Sequence, residues 1–203
     1  MIEKNKFENY IKAFLEQNAK INLISKNDEK FLWEKHIFDS LSIENFFNKY
    51  PCKNKIKLLD IGTGGGFPSL PIAVNYPDIE VYALDSIRKK VNAITEISQK
   101  LELKNFHPIC DRAENLFIKY KKHFDIITSR AVAPLETILK YGLPMLKDEG
   151  YFIAYKSIKT DEEIAGASKV LKKFNAKVAD IIPYELPLEV NFTRNLIVVR
   201  LCK

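Results

Sequence analysis

Residues 58–73 read "LLDIGTGGGFPSLPIA", and the organisation of the whole chain turns on this stretch. An apolar run ends near Asp60, glycines occupy 62, 64, 65 and 66, and a second apolar run begins beyond Pro68. A strand that passes into a helix through a glycine turn is the opening unit of a parallel sheet, in which ligands bind outside the carboxyl ends of the strands. Glycine has no side chain there, so the backbone can pass through positive φ and approach a ligand closely. The next helix then offers free N–H groups.

The flanking pattern agrees. Runs rich in branched and apolar residues recur at 56–61, 80–85, 105–109, 124–129 and 150–156, and helical stretches fall between them at 69–76, 87–101, 113–120, 134–146 and 161–174. Strands alternating with helices predict right-handed crossovers and a parallel sheet covered on both faces. Two further strands, 176–186 and 195–201, are joined by the short "PLEVNFTR", which leaves no room for a crossover helix, so they should pair antiparallel at one edge. Before residue 56 the chain reads as helical. Phe7, Tyr10, Ile11, Phe14 and Leu15 share one helix face. Asp28 is placed to cap a second helix over 29–50, which Pro51 ends. The expected architecture is α/β, with a helical extension over 1–55 packed on a core domain over 56–203.

With 203 residues, 46% hydrophobic and 29% charged, the composition is that of a globular protein with one main domain. No apolar run approaches the roughly 20 residues that cross a bilayer, and the start "MIEKNKFENY" lacks the apolar centre of a secretory signal. A cytoplasmic, monomeric protein without membrane contact is expected. Cys52, Cys110 and Cys202 lack the paired spacing of a metal or redox site and read as incidental thiols, so no metal is expected. The net charge of +6 gathers at 88–90, 119–122 and 169–173, which would suit a polyanionic partner.

A dinucleotide site needs G-x-G-x-x-G, and counted from Gly62 and Gly64 its third glycine is replaced by Phe67. The chain carries D-x-G-x-G-x-G instead: Asp60, Gly62, Gly64, Gly66. Asp85 closes the following strand, where a carboxylate can accept from both hydroxyls of a ribose. This arrangement resembles the first motif of the S-adenosylmethionine-dependent methyltransferases, whose cofactor has a ribose but no pyrophosphate.

Further stretches, "KHIFDSL" (35–41), "DIGTGGGFP" (60–68), "LDS" and "RKK" (84–90), "RAE" (112–114), "SRA" (129–131) and "RNLIVVRL" (194–201), occur in this order. Together they resemble the bacterial RsmG (GidB) family of small-subunit ribosomal RNA methyltransferases over nearly the whole chain. The resemblance implies the class I S-adenosylmethionine-dependent methyltransferase (Rossmann-like) fold, with a seven-stranded, mostly parallel sheet and an antiparallel edge strand. It implies methyl transfer from S-adenosyl-L-methionine to N7 of one guanine in 16S rRNA, with that RNA or the 30S subunit as partner. It also implies cofactor contacts by Gly62, Phe67, Ala113, Glu114 and Arg130, to which the glycine pattern and the strand end add Gly64, Gly66 and Asp85. Ser69, where the family usually has glycine, and Ser157, in "YKS" in place of a lysine-glycine pair, depart from the pattern.

The chemistry asks for little beyond alignment. N7 of guanine carries an in-plane lone pair and no proton, so no general base is needed, and holding the reacting atoms in line can lower the barrier by about 7–11 kcal/mol. Arg130 at a strand end could hold the cofactor carboxylate or an RNA phosphate. His36, Asp39 and Ser40 share a helix face and are candidates for roofing the crevice and positioning the base or cofactor. Phe67, Trp33 and Tyr155 are candidates to stack on a splayed guanine. A methyltransferase of small metabolites, a non-catalytic RNA-binding protein and a nicotinamide-dependent oxidoreductase are the alternatives, the last handicapped by Phe67.

Overall fold

The apolar runs beyond residue 55 become seven strands of one sheet in the computed structural model, which describes residues 4–51, 55–188 and 192–202. They are β1 (Ile56–Ile61), β2 (Ile79–Asp85), β3 (Phe106–Cys110), β4 (Phe124–Arg130), β5 (Leu146–Lys156), β6 (Ala176–Leu186) and β7 (Phe192–Leu201). Their order is β3-β2-β1-β4-β5-β7-β6. The first five are parallel, and strand order reverses between β1 and β4, the place where such sheets form a ligand crevice. The closing pair is antiparallel as expected. β7 lies one place in, against β5, and β6 forms the margin. β5 starts at Leu146, before the expected residue 150, because a register shift beside Asp125 lets Leu146 pair with Phe124 ahead of the regular ladder.

Both faces of the sheet are covered, so successive strand residues feed different cores. Leu58, Ile126 and Ile153 point to one, and Leu59, Ile127, Phe152 and Ala154 to the other. This is why these strands read as continuous apolar runs without alternation. The first core is covered by α5 (Ser69–Asn75), α6 (Arg88–Lys100) and the N-terminal helices, the second by α7 (Ala113–Lys119), α8 (Leu135–Gly142) and α9 (Thr160–Lys173). Each fully buried Leu, Ile or Phe contributes about 1.5–3 kcal/mol.

The N-terminal segment departs from expectation. α1 (Glu8–Ile21) buries Tyr10, Phe14 and Asn18 and ends at Asn22 in the left-handed conformation. The next cap is Ser25, not Asp28: Ser25 Oγ accepts from the Asp28 N–H at 3.2 Å and donates to the Asp28 carboxylate at 2.7 Å. The expected single helix over 29–50 is broken into α2 (Lys26–Glu29), a π-helical segment (Leu32–Phe38), α3 (Asp39–Leu41) and α4 (Glu44–Lys49). Local hydroxyls compete for its carbonyls, since Ser40 Oγ donates to His36 O and Ser42 Oγ to Phe38 O. The last helix ends at Tyr50, before Pro51.

Cys110 and Cys202 are free thiols, half-buried, and Cys52 lies outside the described residues, as do residues 189–191 of the link between the last two strands. No helix among the described residues is long and apolar enough to cross a membrane.

One buried amide closes the turn that feeds β2. Asn105 Nδ2 donates to the carbonyls of Ala73, Tyr76 and Ile79 at 3.0–3.2 Å. Replacing Asn105 by Ala strands these acceptors and should lower unfolding free energy by about 1–3 kcal/mol in urea titrations.

Candidate active site

A crevice of about 610 Å³ opens at the carboxyl ends of β1, β2 and β4. Its floor is the glycine loop. Gly62 and Gly64 line it at φ of 74° and 57°, a region that disfavours side chains. At Gly62 a Cβ would collide with Val132, so the close approach of the loop after β4 also demands glycine. The Gly62 and Thr63 N–H groups donate to Leu84 O at 2.8 and 2.9 Å, and the Gly64 N–H to Asp85 Oδ2 at 2.8 Å, which ties the loop to the end of β2. Asp85 Oδ1 accepts from the Ile87 N–H. A carboxylate has about four acceptor positions, so Asp85 retains capacity for hydroxyls from a ligand.

Phe67, Asp85, Ala113, Glu114 and Arg130 all line the crevice, as does His36. Gly66 does not. At φ of 88° it turns the chain away, and its missing Cβ makes room for Leu70 and Ile94 of the core. Ser40 and Asp39 are likewise withdrawn from the lining. Ser40 is fully buried, with its carbonyl accepting from Tyr155 Oη at 2.8 Å, and Asp39 reaches the crevice only through Arg130. Tyr155 is itself buried and Trp33 packs edge-on against Phe7, so neither is placed to receive a base. Of the aromatic candidates only Phe67 faces the crevice, its ring 5.2 Å from the Arg130 guanidinium and 4.9 Å from the His36 ring.

Arg130 is the centre of a buried network. Its Nη1 donates to Asp39 Oδ2 at 2.7 Å and to Lys35 O at 3.2 Å, and its Nη2 lies 3.1 Å from His36 Nδ1. A guanidinium only donates, so His36 Nδ1 accepts and the ring proton sits on Nε2. Burial, with the Arg130 charge second, pushes the imidazole down to about 4, so His36 is neutral at physiological pH. The other oxygen of Asp39 accepts from Tyr184 Oη of β6 at 2.6 Å. Below the loop, Asp60 is fully buried and accepts from Thr128 Oγ1 at 3.0 Å. Burial pushes its carboxyl up to about 6, against the Thr63 and Thr128 hydroxyls and Arg130. Ser69 fits this spot, for its buried hydroxyl meets that of Thr63.

Two parts of the site were not apparent in the sequence. Leu23 and Ile24 form a wall of the crevice, held because Asn18 Oδ1 accepts from the Ile24 N–H at 2.8 Å. The loop Ala131–Ala133 is clasped by Lys156, whose Nζ donates to Ala133 O and pairs with Glu163, both at 2.9 Å, while Glu163 also accepts from the Leu135 N–H. Ala131 at φ 55° marks the tension in that loop.

Comparison with known proteins gives a consistent result. The family model described as rRNA small subunit methyltransferase G matches residues 3–187. The chain is 34% identical over 202 residues to the ribosomal RNA small subunit methyltransferase G of Thermoanaerobacter sp. (strain X514), covering 98% of this chain and 82% of that protein. It is 39% identical over 199 residues to that of Desulforamulus reducens, covering 97% and 81%. Among solved structures, an S-adenosylmethionine-dependent O-methyltransferase from Thermotoga maritima is similar at a TM-score of 0.58 and 14% identity, over 82% of this chain and 66% of that one. The sheet and its helices are therefore those of the class I methyltransferase fold.

His36 and Asp60 oppose each other in acid. Between about pH 4 and 6.5 the unfolded chain holds the extra proton at His36, so acid weakens the fold through this group. Between about 3.8 and 6 the folded chain holds the extra proton at Asp60, so acid favours the fold through that one. Asp60→Asn should remove only the second effect. Its stability, followed by denaturant titration from pH 6.5 to 4, should fall more steeply with acid than that of the parent.

Proposed function

The chain belongs to the rRNA small subunit methyltransferase G family, and from that premise we propose that it methylates N7 of one guanine in 16S rRNA, free or within the 30S subunit, using S-adenosylmethionine. One observation carries the reading of the site: bare backbone at Gly62 and Gly64 lies beside Asp85 in the same crevice as Arg130. Side chains at those glycines would fill the cradle, and the donors and acceptors around it match a ligand with ribose hydroxyls at one end and a carboxylate at the other.

S-adenosylmethionine supplies, when bound, an electrophilic methyl group on sulfur. The residues then divide as follows. Asp85 accepts from the ribose hydroxyls with the lone pairs that Gly64 and Ile87 leave. The backbone at Ala113 and Glu114 borders the adenine. Arg130, deep in the crevice with a side chain only 13% exposed, is assigned to the cofactor carboxylate in preference to an RNA phosphate. Phe67 and the neutral His36 give that end of the crevice a low-polarity wall, which excludes water and strengthens the ionic contact. Guanine N7 arrives unprotonated, so no side chain must remove a proton, and the work of the site is to hold its partners in line.

The described residues of the helical extension, 4–51, roof the crevice and lend it Leu23, Ile24 and His36, while the cofactor cradle belongs to the core domain over 56–203. Phosphate contacts by the surplus of basic residues would bind the RNA and make its affinity fall steeply with salt. An rRNA substrate would put the protein in the cytoplasm.

The test is transfer of labelled methyl from S-adenosylmethionine to 16S rRNA and to 30S subunits, followed by mass mapping. One 7-methylguanine is expected, and label entering small metabolites but neither RNA substrate would overturn the reading. Asp85→Ala should raise the calorimetric Kd for S-adenosylmethionine at least tenfold, having lost both the ribose acceptor and the tie to Gly64. Asp39→Asn, which keeps the volume but removes the charge opposite Arg130, should lower methyl transfer about tenfold or more while circular dichroism stays that of the parent.

A further inference from the structure

Seven large apolar side chains stand exposed among the described residues, and four of them, Ile87, Val132, Ile158 and Phe192, sit at the end of the sheet where the crevice opens. Ile87, Val132 and Ile158 follow β2, β4 and β5. Phe192 begins β7, which runs the opposite way, so that Asn195 lies opposite Lys156 and residues 192–194 reach past the end of β5.

Phe192 differs from the other three because it is aromatic and has a cation on it. The Arg194 guanidinium lies 5.1 Å from its ring centroid, and Phe192 as a whole is still 46% exposed. Arg194 Nε is buried without a hydrogen-bond partner among the described residues, and no carboxylate there pairs with the guanidinium. The pair is also joined physically to the crevice. Arg194 stands opposite Tyr184 in the ladder, and Phe192 opposite Leu186. Opposed residues of an antiparallel pair share a face, here the one covered by the N-terminal segment, where Tyr184 bonds Asp39 and Asp39 bonds Arg130. A continuous line thus runs from the crevice to an open ring flanked by a cation that no carboxylate among the described residues pairs with.

Resting on the function proposed above, we propose that Phe192 and Arg194 seat an unpaired nucleotide of the RNA close to the target guanine, its base stacked on the exposed side of the ring and its phosphate paired with the guanidinium. The charge of the chain, +6, favours a polyanion here. An aromatic ring beside an arginine matches the stacking and phosphate chemistry of single-stranded nucleic acid, and a base must be unpaired to lie on such a ring. The platform would fix the strand on one side of the methylated base, so the guanine is chosen by the geometry of its loop as well as by the pocket.

The experiment compares the parent with Phe192→Ala, Phe192→Trp and Arg194→Met in steady-state methylation of 16S rRNA or 30S subunits, and in binding of a fluorescent single-stranded oligonucleotide spanning the target loop. Ile118→Ser, which removes an exposed apolar side chain on α7, far along that helix from its crevice end, serves as control and should leave the RNA KM at the parent value. Phe192→Ala is expected to raise the RNA KM and weaken the oligonucleotide by roughly 5- to 150-fold, the range for loss of one stacked base, and Phe192→Trp to restore both. Arg194→Met should reduce the salt slope of binding by about one. Calorimetric affinity for S-adenosylmethionine should match the parent in all of them. Unchanged RNA KM and oligonucleotide affinity in an active enzyme would overturn the platform while leaving the methyltransferase reading intact. A KM raised for 30S subunits with unchanged oligonucleotide affinity would assign the ledge to a ribosomal protein and overturn it too. A parent that binds S-adenosylmethionine yet methylates no RNA would instead defeat the functional reading itself.

Discussion

The contact on which this molecule depends is the buried ion pair between Asp39 and Arg130. Their side chains are 2% and 13% exposed and 2.7 Å apart. Removing two charges from water is costly, and the pair is tolerated because the remaining valences are filled, by Tyr184 on Asp39 and by Lys35 O and His36 on Arg130. Those fillers come from two places in the sequence, the π-helical segment and the marginal strand β6, while Arg130 itself stands at the end of β4. One charge pair therefore sets the position of the N-terminal roof, the crevice arginine and the far edge of the sheet, and with it the shape of the space between them. Losing either partner would leave a charge in a dry interior, where such losses cost about 3–5 kcal/mol.

Around that pair the site is built mostly from backbone. The glycine loop is fastened to the end of β2 by N–H groups on Leu84 O and Asp85, and the loop after β4 by Lys156 and Glu163. Transfer to a nucleophile that brings its own lone pair asks the protein for alignment, and fixed backbone supplies it at low entropic cost. Two buried groups with altered proton affinity, His36 and Asp60, belong to the supporting structure: His36 receives a hydrogen bond from Arg130, and Asp60 closes the floor under the loop.

Much of this was legible in the sequence, for reasons tied to particular residues. Strands buried on both faces announce themselves as unbroken apolar runs, and chain order alone puts Gly62 and Gly64 in the first switch-point turn and Asp85 at the end of the neighbouring strand β2. The misses also have causes. Asp28 has the right chemistry for a cap, yet Ser25, three residues earlier, takes the position. Nothing in "FLWEKHIFDSLS" reveals that the hydroxyls of Ser40 and Ser42 will divert carbonyls and break a regular helix, and so Ser40 goes to the interior while Asp39 turns toward Arg130, 91 positions away. Tyr155, an aromatic candidate for stacking on the base, sits in the apolar run of β5, whose two faces are both covered. The inward place of β7 was beyond reach, since a hairpin fixes which strands pair and leaves open which of them meets the rest of the sheet.

The π-helical segment has one more consequence. An α-helix turns about 100° per residue, so shortening Leu32–Phe38 by a single residue would swing everything beyond it through that angle and aim Asp39 away from both Tyr184 and Arg130. The segment behaves as a spacer of fixed count, between an anchor in α1 and a docking point on the sheet. An inserted or deleted residue would leave the roof in place only in the turns that precede Leu32, where slack can be taken up without rotating it.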